Sequence, residues 1–131
     1  MLKYLVVGAG GAIGTMLRYL LSNIDYKYSV GSFPLGTFLV NITGSLVIGL
    51  LWGLSERYVF APQLRVFALV GVLGGYTTFS TFSLESFNLF RAGEYTAGLA
   101  NILLTNVIGL ACVLAGYFLA GLLLTFFHKG G

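Results

Sequence analysis

The chain has 131 residues, of which 57% are hydrophobic and 8% charged, and its formal net charge is +3. That length fits one domain, and a soluble domain would carry about 25% charged residues, so the composition excludes a water-soluble globule and indicates an integral membrane protein. The positive balance does not imply nucleic acid, because the basic residues stand singly at the ends of apolar runs, where long side chains reach back to headgroups.

Residues 28–55, 66–84 and 95–127 contain no charged side chain, and each run reaches the roughly 18 residues that span a bilayer. With the N-terminal apolar segment they predict helices over 4–22, 35–54, 65–88 and 95–127, a single all-α transmembrane domain over 1–131. Barrel strands would read as short alternating segments, which are absent from the sequence. The one cysteine, Cys112, lies in an apolar run and does not define a redox compartment.

The first segment has Lys3 ahead of an apolar stretch, as a signal peptide does. Arg18 and the lack of a small-residue cleavage site favour a retained helix. Gly8-Ala9-Gly10-Gly11-Ala12-Ile13 superficially suggests a dinucleotide fingerprint. Ile13 stands where that motif needs its third glycine, and no acid lies between Asp25 and Glu56. Gly8, Gly10, Gly11 and Gly14 read instead as sites of close approach between membrane helices. Arg18 closes the segment and would reach an interface or an aqueous vestibule.

A polar loop over 23–32 holds Asp25 and Lys27, and Pro34 suits the first turn of the next helix. The second segment contains Asn41, Thr43, Ser45 and a Gly49-xxx-Gly53 pair. The glycine pair reads as helix packing. An amide within a span needs partners, so Asn41 is either an interhelical hydrogen bond or a pore-lining group.

The third segment contains Gly74-Gly75-Tyr76-Thr77-Thr78-Phe79-Ser80-Thr81-Phe82-Ser83, with Glu85 just beyond. Glycine costs about 1 kcal/mol against alanine inside a helix, and serine and threonine offer the backbone competing hydrogen bonds. The stretch therefore predicts a helix broken at mid-membrane. Broken backbone survives in hydrocarbon only against protein or a wet cavity, and such interruptions tend to bind ions. Phe79 and Phe82, three apart, would share a face. Glu85 lies near the end of the segment, which suggests an interfacial position.

A short loop, Arg91-Ala92-Gly93-Glu94, leads to the fourth segment. There Asn101 and Thr105, four apart, join Gly98 and Gly109 in a small polar stripe on a leucine-rich helix, with Asn106 beside it. Ordinary helix packing would also explain that stripe. His128 and Lys129 suggest headgroup contacts, and Gly130-Gly131 an appended pair.

Four spans put both termini on one side. That side, with the second loop, holds Lys3, Arg57, Arg65 and Lys129, against Arg18, Lys27 and Arg91 on the other. A four-to-three balance biases orientation weakly. Both orientations could insert, and two opposed copies would form an antiparallel homodimer, the two-chain form of an inverted repeat.

The central motif, Gly74 to Ser83 followed by Glu85, resembles the signature of the CrcB/Fluc fluoride channels. The four spans, the chain length, Leu17-Arg18-Tyr19 closing a glycine-rich first helix, and Asn41 in the second match as well. The resemblance implies a dual-topology homodimer in the inner membrane with two antiparallel pores and passive export of fluoride. It implies a structural sodium ion at the dimer centre, held by backbone carbonyls matching Gly74 and Thr77. Phe79 and Phe82 match its pore phenylalanines, Asn41 its pore asparagine, and Ser80, Thr81, Ser83 and Thr105 its hydroxyl track. Asn101 stands where some members carry a tyrosine.

The chemistry suits the ion. Fluoride holds water tightly, and uncharged hydroxyl and amide donors replace that water without trapping the ion. Ring edges carry positive potential, and a helix start adds partial positive charge. Two other readings compete. A proton-coupled exporter needs a carboxylate deep in a span, and the first helix has none. A non-conducting assembly subunit would use the same polar residues for packing alone. An enzyme lacks support, since the sequence shows no nucleophile–base pair, metal-ligand spacing or phosphate loop.

Overall fold

The computed structural model describes residues 1–23 and 31–129, with the side chains of 127–129 excepted. Most of the 23–32 loop, including Asp25 and Lys27, therefore lies outside the described residues, as do the side chains of His128 and Lys129 and the Gly130-Gly131 pair. Among the described residues four helical spans are long and apolar enough to cross a membrane. They are α1 (Leu2–Ser22), α2 (Leu35–Arg57), a segmented third span over Pro62–Arg91, and α6 (Tyr95–Lys129). Helix α2 starts directly after Pro34, as the sequence suggested, but runs three residues past the expected 54.

The third span is segmented more finely than the sequence indicates. A short α3 (Pro62–Arg65), begun by its proline, passes into seven residues of π-helix over Val66–Val72. Helix α4 (Leu73–Tyr76) follows, then two extended residues, then α5 (Phe79–Arg91). The expected interruption is therefore present, at Thr77 and Thr78.

Small residues set the helix contacts, because lipid tails give apolar side chains no reason to prefer each other over the bilayer. Helix α1 lies along the π segment and α4 with its glycines inward. A β-carbon on Gly10 would sit 2.7 Å from the Phe67 carbonyl oxygen, and one on Gly14 would run into the Val72 carbonyl. Gly75 closes the same seam, 2.6 Å from the Gly11 carbonyl by that measure. Helices α2 and α6 form the other seam. Gly49 abuts the Val113 carbonyl, Gly116 abuts the Leu46 carbonyl, and Gly53 faces Ala120. The packing reading of Gly49 and Gly53 is thus borne out, with Gly116 as their counterpart.

Gly49→Val is predicted to force this seam apart, since the obstacle is backbone and cannot rotate away. Overpacking costs about 1–3 kcal/mol, which should appear as a lowered unfolding midpoint in detergent.

The chain ends α5 with a left-handed residue. Gly93 has φ 78°, its N–H bonds the Phe90 carbonyl at 3.1 Å, and the Glu94 N–H bonds the Leu89 carbonyl at 2.9 Å. This paired arrangement satisfies the orphan carbonyls of α5 and turns the chain directly into α6. The apolar core is small: Val40, Leu73, Phe82, Leu89 and Ala120 are buried. Large side chains such as Leu110, Phe118 and Phe126 point outward along α6, as lipid-facing residues do.

Candidate ion pathway

The interruption is built by a side chain from a neighbouring helix. The helical ladder ends where the Thr77 N–H bonds the Leu73 carbonyl at 3.0 Å. The next N–H, that of Thr78, donates instead to Asn41 Oδ1 at 2.9 Å, and Asn41 Nδ2 donates to the Thr78 carbonyl at 3.1 Å. One amide thus pairs both backbone groups of an extended residue, as an adjacent β-strand would. Asn41 is therefore an interhelical hydrogen-bonding residue, and it also lines the cleft described below.

Thr78 then caps α5, its Oγ1 accepting from the Thr81 N–H at 3.2 Å. Gly44 lets the bend nestle on α2, because a β-carbon there would strike the Thr77 methyl group. Tyr76 is tied to α2 through a 2.7 Å bond to Thr43 Oγ1. The Thr43 proton already goes to the Leu39 carbonyl, so Tyr76 is the donor.

With the ladder interrupted, the carbonyls of Gly74 through Thr77 have no helical N–H partner. Each is an uncharged, hard oxygen donor. Arg18 turns toward them, its Nη1 lying 3.4 Å from the Thr77 carbonyl. The sequence left Arg18 between an interface and a vestibule; in the fold it is half-buried and points at the bend. Among the described residues no cluster of His, Cys, Asp or Glu could hold a metal ion.

A cleft of about 310 Å³ opens beside the bend. Asn41, Gly44, Ser45 and Ile48 of α2 form one wall, Leu73, Thr77, Thr78, Phe79 and Phe82 the second, and Thr105 and Asn106 of α6 the third. Phe79 and Phe82 do share a face, with ring centroids 5.7 Å apart and planes inclined at 46°. Their surroundings differ sharply: Phe82 is 7% exposed and Phe79 79%.

Not every residue of the expected pathway meets there. Ser80 and Thr81 lie on an exposed face of α5, and Ser83 bonds back to the Phe79 carbonyl at 2.9 Å; none lines the cleft. Asn101 is fully buried behind it. Its Nδ2 donates to Ser86 Oγ at 2.9 Å, Ser86 donates to the Phe82 carbonyl at 2.8 Å, and Asn101 Oδ1 accepts from Thr105 at 3.3 Å. Asn101 therefore braces the helix carrying Phe82 and the threonine that faces the cleft. Glu85, suggested to be interfacial, is held against α2. Thr37 donates to its Oε1 at 2.7 Å, and its Oε2 is buried.

Sequence reasoning passed over Gly44, Ser86 and Thr37, and assigned no cleft role to Ser45 or Asn106. Helical spacing was an available signal for two of them, since Ser45 follows Asn41 by four and Ser86 follows Phe82 by four.

A family model described as CrcB-like protein, Camphor Resistance (CrcB), matches residues 5–117. A protein of Maridesulfovibrio salexigens named fluoride-specific ion channel FluC is 41% identical over 124 residues, covering 94% of this chain and 98% of its own. Proteins with the same name from a Hydrogenobaculum species and from Salinibacter ruber are each 46% identical. The first match covers 93% of this chain and all of the relative. The second covers 88% and 87%.

Proposed function

The chain belongs to the CrcB-like family, and on that premise we propose that it is a fluoride-selective channel of the inner membrane that lets the anion leave the cytoplasm passively. The relatives carry a channel name, so the protein is a multi-pass membrane protein and not an enzyme. One observation supports the cleft as the pathway: Asn41, Phe79, Phe82 and Thr105, which lie in three different spans, converge on it.

In this reading fluoride loses water in stages against uncharged groups. The Asn41 amide offers its remaining proton, the Phe79 and Phe82 rings offer their edges, and the start of α5 adds partial positive charge. Among the described residues no fixed charge lines the cleft, so binding stays weak enough for the ion to move on. Hydrogen fluoride crosses the bilayer in neutral form and ionises inside, and a negative interior drives the anion outward.

The protomer's cleft is open on one side, and Phe79 is exposed there. We assign that open side to a second, oppositely oriented copy, which gives a dual-topology dimer with two pores. The Gly74 carbonyl, and that of Thr77 through the lone pair not taken by Arg18, have the chemistry to hold sodium, a hard cation bound by backbone oxygens at unwound helices. A bound sodium ion would tie the two interruptions together and add positive charge beside them. Arg18 already brings positive charge to Thr77 from within the protomer.

The test is ion release from liposomes loaded with fluoride or chloride and holding purified protein. The expected result is rapid fluoride loss with chloride retained, unchanged when no proton gradient exists. Release of chloride at the same rate, or a need for a proton gradient, would refute the proposal.

A further inference from the structure

The hydrogen bonds of the cleft reveal which of its polar groups still have a proton to give. Each hydroxyl carries one proton. Ser45 donates its proton to the Asn41 carbonyl at 2.7 Å, Thr77 to the Leu73 carbonyl at 3.0 Å, Thr78 to Thr81 Oγ1 at 3.1 Å, and Thr105 to Asn101 Oδ1 at 3.3 Å. Every hydroxyl lining the cleft therefore turns lone pairs, not a proton, toward an arriving anion. An amide nitrogen carries two protons. Asn41 uses one on the Thr78 carbonyl, and Asn106 uses one on the Ile102 carbonyl at 2.7 Å. The second proton of each has no protein acceptor among the described residues. These bonds also fix which atom of each amide is nitrogen, since only nitrogen can donate to a carbonyl.

We infer that Asn106 is a second amide donor to the permeating ion, standing on the α6 wall as Asn41 stands on the α2 wall. This inference rests on the fluoride-channel reading and deepens it. A bare halide gains most from protons that no other acceptor holds. A hydroxyl of this cleft would first have to break an internal bond, whereas the two amides need only turn an unused N–H to the ion. Asn106 is also exposed in the protomer, so it is open to an ion at the cleft mouth.

The inference makes polarity and donor supply separable at one position. Asn106→Leu removes the amide. Asn106→Thr keeps a polar group, but a helical threonine returns its only proton to the carbonyl four residues back, as Thr43 and Thr125 do here. Asn106→Gln keeps a two-proton amide. Thr125→Val, on the same helix and away from the cleft, is the control. Fluoride release from liposomes should fall about tenfold or more in both the leucine and threonine variants, the size expected for one hydrogen bond to a charged acceptor. The glutamine variant should stay within about threefold of the parent on the same scale, and Thr125→Val should match it.

Parental rates in Asn106→Thr would overturn the inference, because a committed hydroxyl would then suffice. Parental rates in Asn106→Leu would overturn it as well. If the leucine variant does not fold, the threonine–glutamine contrast decides. A parent protein that releases no fluoride would reject the channel reading itself, and this inference with it.

Discussion

Asn41→Leu should abolish fluoride release and lower the unfolding midpoint together. The amide pairs the N–H and the carbonyl of Thr78 at 2.9 and 3.1 Å, and no helical bond replaces either. Leaving a buried backbone group unpaired costs about 1–3 kcal/mol. Thr78 is 7% exposed, so water reaches these groups poorly. Two orphaned groups, discounted because Asn41 itself is only half-buried, suggest about 2–4 kcal/mol. The same substitution removes an amide proton from the cleft, so flux falls even in molecules that remain folded.

Asn41→Asp separates the two effects. The carboxylate can still accept from the Thr78 N–H, but it opposes the Thr78 carbonyl and places a negative charge in the anion's way. Its stability should fall less than that of the leucine variant, while flux is lost as completely. Thermal unfolding in detergent and liposome release check both statements. Retained flux in Asn41→Leu would remove this residue from the pathway.

The sequence left Asn41 undecided between packing and pore. A lone amide within a span announces that it has partners, but it does not say whether they are protein or ion. In the structure the amide pairs with Thr78 and also lines the cleft, so the proposed pore role does not compete with the packing role. The four spans were legible from charge-free runs, since the bilayer imposes length and apolarity directly. The interruption was legible because Gly74-Gly75 and Thr77-Thr78 weaken a helix locally, although the break falls only at Thr77-Thr78, where Asn41 supplies the partners. The π-helix over Val66–Val72 was not legible. Its residues include one glycine and no polar side chain, and the segment lies where α1 approaches backbone to backbone at Gly10 and Gly14.

The same limit applies to the hydroxyl track. Ser80, Thr81, Ser83 and Thr105 were grouped by resemblance, and only Thr105 lines the cleft of the protomer. Residues at neighbouring positions on a helix face different ways, and which way is fixed by packing that no local motif records. Asn101 shows this most sharply. It shares a face with Thr105 as spacing predicted, yet it lies behind that threonine and reaches Phe82 only through Ser86.

The two phenylalanines give the last expected result, and their unequal burial makes it specific. Both rings line the cleft, and isoleucine at either position removes a positive ring edge while keeping an apolar side chain. An aromatic edge contact is worth about 0.5–1.5 kcal/mol, or close to tenfold in rate at the upper end. Phe79→Ile with Phe82→Ile should then slow fluoride release about 100-fold. Stability should separate the single variants. Phe82 is 7% exposed, so its replacement leaves a void in the core and should cost about 1–2 kcal/mol. Phe79 is 79% exposed in the protomer, so Phe79→Ile should leave protomer packing within about 0.5 kcal/mol of the parent. A larger loss at Phe79, measured as a concentration-dependent drop in the unfolding midpoint, would mean that a second copy covers this ring, as the proposed antiparallel dimer requires. Unchanged fluoride release in the double variant would show that the rings only pack.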